Sequence, residues 1–323
     1  MVLPHRLWKV AVCAALLTAC AAPGPARPQP SPVSAEIPSA PTETAPYVDV
    51  SVRHPPLGSV VAKTPTRRFV LAFMLAKHSA CAPAWAGSTP IDDPAVLGDI
   101  AAVRSAGGSV TLASGGATGT YLENACSTAA ELAGAYRQAL QTTGADRLEL
   151  DVETAVRPDV VADALRIVHT ELAVPVTITA TVADAGSGLE QSTLDLLRAL
   201  ASRGTDVVVN AMVMNFPESG SWRESMLTAA TTVAGQTGEI WPGNPYSRLG
   251  ITYMAGRNDT GVLTTVDDAH ALRDYAVAHA IAFLGFWSLA RDNGNCADEV
   301  RASPVCSGLA QETYAFTRAL RGR

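Results

Sequence analysis

Glu149, Asp151 and Glu153 alternate with Leu148, Leu150 and Val152 in the stretch DRLELDVE, residues 146–153. In an extended strand successive side chains point to opposite faces, so the three carboxylates and Arg147 share one face and the aliphatic residues share the other. Carboxylates gathered in this way can act on a substrate as general acid and base, or serve as hard ligands to a cation. The same alternation also describes a wetted strand of an antiparallel surface sheet. The surrounding elements decide between chemistry and solvation.

Those elements alternate. Short β-rich apolar runs at 68–75, 109–114, 147–152, 176–182, 206–216, 248–254 and 282–289 predict strands. Ala- and Leu-rich stretches near 93–105, 127–143, 158–172, 189–202, 221–235 and 266–279 predict helices, with start signals such as Ser127 near Glu131 and Pro158 before Asp159. Strands separated by helices imply βαβ units on a parallel sheet whose faces are covered. Seven clear units over this length predict a (β/α)8 TIM barrel, with the eighth strand inferred. A doubly wound open sheet is the alternative, but the first run leads into AKHSACAPAW, with no glycine-rich phosphate loop. In a barrel the leucines face the helices and the carboxylates must point inward, where burial and mutual repulsion oppose their ionisation. At a rise of ~3.3 Å per residue the row climbs the barrel axis, so Glu153 is expected at the C-terminal mouth, where barrel active sites form.

The chain starts MVLPHRLWKVAVCAALLTAC, with Arg6 and Lys9 before an apolar run too short to span a bilayer. Residues 1–19 are read as a signal peptide. Leu17-Thr18-Ala19-Cys20 is similar to a bacterial lipobox, which implies lipidation of Cys20 and anchoring on the outer face of the cell membrane, with ordinary cleavage as the alternative. Residues 20–46, rich in Pro, Ala, Ser and Thr, are expected to form a tether, and 47–323 a single domain. Loss of Arg6 and Lys9 takes the formal charge from -6 to -8, which argues against nucleic acid as a partner. The cysteines remaining after that processing are Cys81, Cys126, Cys296 and Cys306, an even number that suggests two disulfides. Cys296 with Cys306 is the natural local pair, which would leave Cys81 with Cys126; other pairings stay open. No metal site or cofactor is expected, and a monomer is.

With the barrel in place, DRLELDVE resembles the D-G-x-D-x-D-x-E signature of glycoside hydrolase family 18, the chitinases and their relatives. Asp146, Asp151 and Glu153 match, while Arg147 stands for Gly and Glu149 for Asp. Further segments follow in order. LAFMLAKHSACAPAW (71–85) resembles the first barrel strand and its loop in a bacterial chitinase subgroup, and VNAMVMNF (209–216) resembles V-N-x-M-x-M-D-Y. GITYMAGRND (250–259) resembles G-V-T-P-M-I-G-x-N-D, and FWSLARD (286–292) resembles F-W-S-L-N-R-D. The resemblance spans about residues 69 to 318. It implies retaining, substrate-assisted cleavage of β-1,4-linked N-acetylglucosamine chains, in which the sugar's own N-acetyl oxygen replaces a protein nucleophile. Glu153 would be the acid and base, Asp151 would orient the acetamido N–H, and Glu149 would share charge or a proton with Asp151 from below. Trp287 would form the aromatic floor under the sugar, with Met214, Asn215 and Phe216 on the sixth strand beside it, and Trp85 would offer a second platform.

The sequence departs from the family pattern in places. Asn215-Phe216 replaces Asp-Tyr, removing a hydroxyl donor; loss of one such donor can cost a factor of ~100 in rate. Tyr253 stands at a family proline and could return a hydroxyl to the site, or serve structurally. Arg147 could offset the charge of Glu149 from below, or cap the barrel floor. The resemblance therefore implies a chitinase-like hydrolase of reduced activity. The competing readings are a catalytically impaired carbohydrate-binding lipoprotein of the cell envelope, and a metal-assisted carbohydrate enzyme.

Overall fold

A computed structural model describes residues 43–297 and 299–321. The signal peptide, Cys20 and most of the tether lie outside the described residues. Eight parallel strands form a closed barrel: β1 (Glu43–Asp49), β2 (Arg68–Ala76), β3 (Ser109–Gly115), β4 (Arg147–Val152), β5 (Val176–Asp184), β6 (Val207–Met212), β7 (Leu249–Met254) and β8 (Phe283–Trp287). Each pairs with its neighbour in sequence, and β1 closes the ring against both β8 and β2. Helices follow the strands: α1 (Leu57–Lys63), α2 (Pro94–Ser105), α3 (Ala129–Thr143), α4 (Pro158–Leu172), α5 (Gln191–Ser202), α6 (Trp222–Ile240), α7 (Val266–His279) and α8 (Ala315–Ala319). The expected (β/α)8 TIM barrel is the fold.

Local chemistry sets these boundaries. Asp93 accepts the N–H groups of Ala95 and Val96 at the start of α2, and Thr128 with Glu131, Ser221 with Glu224, and Thr265 with Asp268 form reciprocal capping boxes. The eighth strand is β1. It begins at Glu43, inside the segment read as tether, so the domain starts earlier than residue 47 and LAFMLA is the second barrel strand rather than the first. Pro46 lies within β1, which still pairs on both sides.

Alternation along the strands divides the interior into two layers. Leu148, Leu150 and Val152 join a continuous apolar cluster with helix residues such as Leu132, Val161 and Leu165, between the barrel and its helices. Fully burying such a side chain is worth ~1.5–3 kcal/mol. Inside the barrel, Ala45, Tyr47, Val70, Ala72, Ala113 and Phe283 form a second cluster, with Phe73 and Trp287 packed on it. Arg147, the lowest charge on β4, makes a close ion pair with Glu43 of β1, and Arg68 of β2 lies 3.4 Å from the same carboxylate. Arg147 therefore caps the barrel floor, and the reading in which it offsets Glu149 is replaced.

Both disulfides form, Cys81–Cys126 and Cys296–Cys306. The first joins the loops after β2 and β3. Arg157, after β4, donates to the carbonyls of Ser127 at 3.0 Å and Glu123 at 3.2 Å and closely to that of Cys126, so three consecutive mouth loops are tied together. At the far side, Asp292 accepts from the backbone N–H of Phe316 (3.0 Å) and Thr317 (2.7 Å), fixing α8 to the chain that leaves β8.

Candidate active site

Glu149 and Asp151 lie along β4 and Glu153 directly follows its last residue, continuing the row that the alternation requires. Glu149 and Asp151 are buried, and Glu153 stands at the open rim. Above Glu149 the barrel opens into a cavity of about 200 Å³ lined by Asp151 and Glu153 on one side and Trp287, Phe73 and Tyr47 on another, with Met212, Met214, Met254, Asn215 and Asp259 across from the acids.

Beneath the acids lies a polar network drawn from five strands. Tyr47 Oη of β1 donates to Glu149 Oε1 at 2.6 Å. Asn210 Nδ2 of β6 lies 2.9 Å from Tyr47 Oη, 2.9 Å from Thr179 Oγ1 of β5 and 2.8 Å from Thr252 Oγ1 of β7. Its two hydrogens are shared among three oxygens, which orients every member. Burial pushes the Glu149 carboxyl up to about 7, a rise that the Tyr47 hydrogen bond partly offsets. Glu149 can therefore hold or release a proton near neutral pH.

Asp151 is held well above the usual carboxylate range, first by burial and then by the charges of Glu153 and Glu149. With the carboxylates this close, their protons belong to the group rather than to one member. Among the described residues, Asp151 Oδ1 finds no hydrogen-bond partner although it is buried. An unpaired buried acceptor is costly, so this oxygen is set to receive a donor that enters the cavity. The neighbouring backbone packs closely around this position. Gly115, opposite Asp151 on β3, has φ of 103°, and a Cβ there would lie 2.0 Å from the Asp151 carbonyl; at Gly116 a Cβ would lie 2.6 Å from the Phe73 ring.

Glu153 is positioned through its main chain. Its N–H donates to Tyr121 Oη at 3.0 Å, and that hydroxyl donates to the Gly116 carbonyl at 2.7 Å. The side chain reaches solvent, yet the cavity wall desolvates it enough to raise its pKa, and the charge of Asp259 raises it further. Trp287 lies stacked with Phe73, centroids 5.4 Å apart and planes 14° apart, and Met212, Met214 and Met254 cluster on it. The floor is thus broad, flat and apolar, suited to the C–H face of a pyranose.

Six of the expected site residues, Glu149, Asp151, Glu153, Met214, Asn215 and Trp287, come together here; three do not. Phe216 is buried against Trp222, centroids 4.9 Å apart, and does not line the cavity. β6 ends at Met212, and Asn215 takes a left-handed φ of 60°, so the strand parity that would have turned Phe216 inward is broken before it is reached. Tyr253 faces outward between Phe286 and Phe316, because its neighbours Thr252 and Met254 hold the inward positions on β7. Its hydroxyl is buried, without a hydrogen-bond partner among the described residues. Trp85 belongs to a hairpin strand, Pro83–Trp85, paired to β2; it is buried in the apolar layer and donates to the Ile91 carbonyl at 3.3 Å. It borders a separate cavity of about 410 Å³ beside α1 and α2, away from the carboxylates.

Sequence reasoning missed Tyr47, Thr179, Asn210, Thr252, Phe73, Tyr121 and Asp259. Asn210 and Thr252 had a signal, since polar residues at the inward parity of buried strands need partners. Tyr47 had none, because no strand was expected before residue 68 and the tether was read up to residue 46.

No family model matches the chain. The catalytic domain of a hyperthermophilic chitinase from Pyrococcus furiosus superposes with a TM-score of 0.80 at 33% identity, covering 88% of this chain and 95% of that one. Catalytic-site mutants of active domain 2 of a thermostable chitinase from the same organism, complexed with chito-oligosaccharides, give 0.80 at 32%, covering 88% and 96%. A probable bifunctional chitinase/lysozyme of Escherichia coli (strain K12) is 26% identical over 308 residues, 84% of this chain but only 33% of that protein's length.

Proposed function

Because this chain belongs to the chitinases of glycoside hydrolase family 18, we propose that it hydrolyses β-1,4-linked N-acetylglucosamine chains with retention, through participation of the substrate's own acetamido group. The observation that carries this reading is Asp151 Oδ1, a buried acceptor without a partner among the described residues, two residues before Glu153 and in the cavity that Trp287 floors. An acetamido N–H is the donor that would complete it.

The steps follow from the placement. A sugar resting on Trp287 presents its 2-acetamido group to Asp151. Glu153 gives its proton to the glycosidic oxygen while the acetamido carbonyl oxygen attacks the anomeric carbon, so the exocyclic C–O bond breaks as the new C–O bond closes an oxazolinium ring. Asp151, accepting the N–H, opposes the positive charge on that ring, and Glu149 beneath it takes up or returns charge as Asp151 changes state. The ionised Glu153 then draws a proton from water as the water attacks the anomeric carbon, and the ring reopens with the configuration restored. Phe216 has no part in this. A hydroxyl at that buried position would not reach the acetamido group, so the reduced turnover expected from Phe216 is not part of this reading.

Incubation with soluble chito-oligosaccharides and mass spectrometry of the products tests the reading. The natural protein shortens them, and Glu153→Gln binds without cleaving. Binding without cleavage by both would favour a carbohydrate-binding protein, and cleavage sensitive to EDTA a metal-assisted enzyme.

The lipobox-like Leu17-Thr18-Ala19-Cys20 supports export and anchoring through a lipidated Cys20. Among the described residues no helix is long and apolar enough to cross a membrane. Metabolic labelling with a fatty acid, present in the natural chain and lost in Cys20→Ala, checks this, as does sedimentation velocity for a monomer.

A further inference from the structure

Across the cavity from Glu153, the loop after β7 carries a carboxylate held in a two-bond clasp. Asn215 Nδ2 donates to Asp259 Oδ2 at 2.8 Å, and the Asp259 backbone N–H donates to Asn215 Oδ1 at 2.8 Å. The clasp is anchored one residue earlier. Asn258 is buried, accepts the Asn215 backbone N–H at 3.2 Å and donates to Thr264 Oγ1 at 3.0 Å. The left-handed backbone at Asn215, a conformation asparagine tolerates better than most residues, turns its amide to the clasp.

The orientation of that amide has a chemical consequence. Because Asn215 Oδ1 is committed to the Asp259 N–H, its nitrogen must face the carboxylate and can only donate. The Asp259 carboxylate therefore receives a hydrogen bond from this side rather than facing a second carboxylate. An aspartate at 215 would set two carboxylate oxygens 2.8 Å apart, which can coexist only by sharing a proton.

We infer that Asp259, clasped by Asn215, is a positioning residue that fixes a negative charge on the cavity wall opposite Glu153 and so sets the pH at which Glu153 gives up its proton. The inference rests on Glu153 being the acid, as proposed above. The groups facing Asp259 are Asn215 from the end of β6, Glu153 after β4 and Arg291 after β8. Arg291 is buried and bound to the carbonyls of Ala255 and Ser303 as well as closely to that of Arg257, and its charge also acts on Asp259. Those facing Glu153 are Asp151 from β4, Tyr121 beneath its backbone and Asp259. The asparagine at 215 is then a substitution with a use: it donates to the neighbouring carboxylate and holds it in place.

Glu153 must be protonated for bond cleavage, so activity falls as pH rises through its pKa, and a negative neighbour moves that fall to higher pH. The test is the pH profile of kcat/KM on a soluble chito-oligosaccharide, with the full chain. Asp259→Asn moves the alkaline limb down by roughly half a pH unit, and 1 M salt reduces the difference, because the charge is exposed. Asp259→Glu keeps the limb near that of the natural protein, and Asn215→Asp adds a further ionisation to the profile. An NMR titration of the Glu153 carboxyl in Asp259→Asn reads the same shift without turnover. A rate lowered equally at all pH, with the limb and the titration unmoved, would overturn the inference. Undiminished cleavage by Glu153→Gln would instead overturn the assignment of the acid, while the titration still decides whether Asp259 acts on Glu153.

Discussion

Glu149 carries the largest stake among single residues. Its folded pKa, about 7, lies above its ordinary value of 4.5. Below about 4.5 both the folded and unfolded forms hold the proton and nothing is lost. Between the two values the unfolded chain ionises while the fold retains its proton, so stability declines as pH rises, by up to about 3 kcal/mol once pH 7 is passed. Glu149→Gln is expected to flatten that decline in chemical denaturation from pH 4 to 8. Tyr47→Phe removes the hydroxyl that donates to Glu149 and accepts from Asn210. It is expected to destabilise the fold by ~1–3 kcal/mol, to raise the Glu149 pKa further and to lower kcat more than it changes KM.

At the scale of elements, the mouth ends of β2 and β8 act together, since Phe73 and Trp287 form one stacked surface. Trp287→Ala deletes most of that floor and is expected to raise KM at least tenfold, with a larger effect on longer oligosaccharides; Michaelis kinetics over a length series checks it. The site was legible where strand parity governs. β4 carries its acids at a strict period of two, and Glu149, Asp151 and Glu153 fall where alternation places them. Parity failed where the chain leaves the sheet, because one left-handed residue, Asn215, turns Phe216 into the core. Tyr253 was legible in principle, since an inward Thr252 forces it outward, but a tyrosine at a family proline invited a catalytic role. β1 was hidden by composition: its first residues continue a Pro- and Thr-rich run, and only pairing to β2 and β8 makes Glu43–Asp49 a strand. The network under the acids was invisible for a different reason, as it joins side chains up to 205 positions apart.

For the whole molecule, the barrel supplies a rigid ring and the mouth loops supply the site, so the ties between loops matter as much as the core. Cys81–Cys126 closes a separation of 45 residues, for which chain entropy suggests ~4 kcal/mol of stabilisation. The Cys81→Ser, Cys126→Ser double variant is expected to lower the denaturation midpoint and to slow turnover, because the Gly115–Gly116 bend and Tyr121 that hold Glu153 lie in the loop it frees. Retention of configuration follows from the participation of the acetamido group proposed above, for which Asp151 Oδ1 is the buried, unpaired acceptor among the described residues. The most direct measurement is the anomeric form of the first product, followed by proton NMR during early hydrolysis of a fully acetylated chito-oligosaccharide. The β anomer is predicted to appear first and to equilibrate only later, and to be absent with Glu153→Gln. An initial α anomer, or β product that persists in Glu153→Gln, would contradict it.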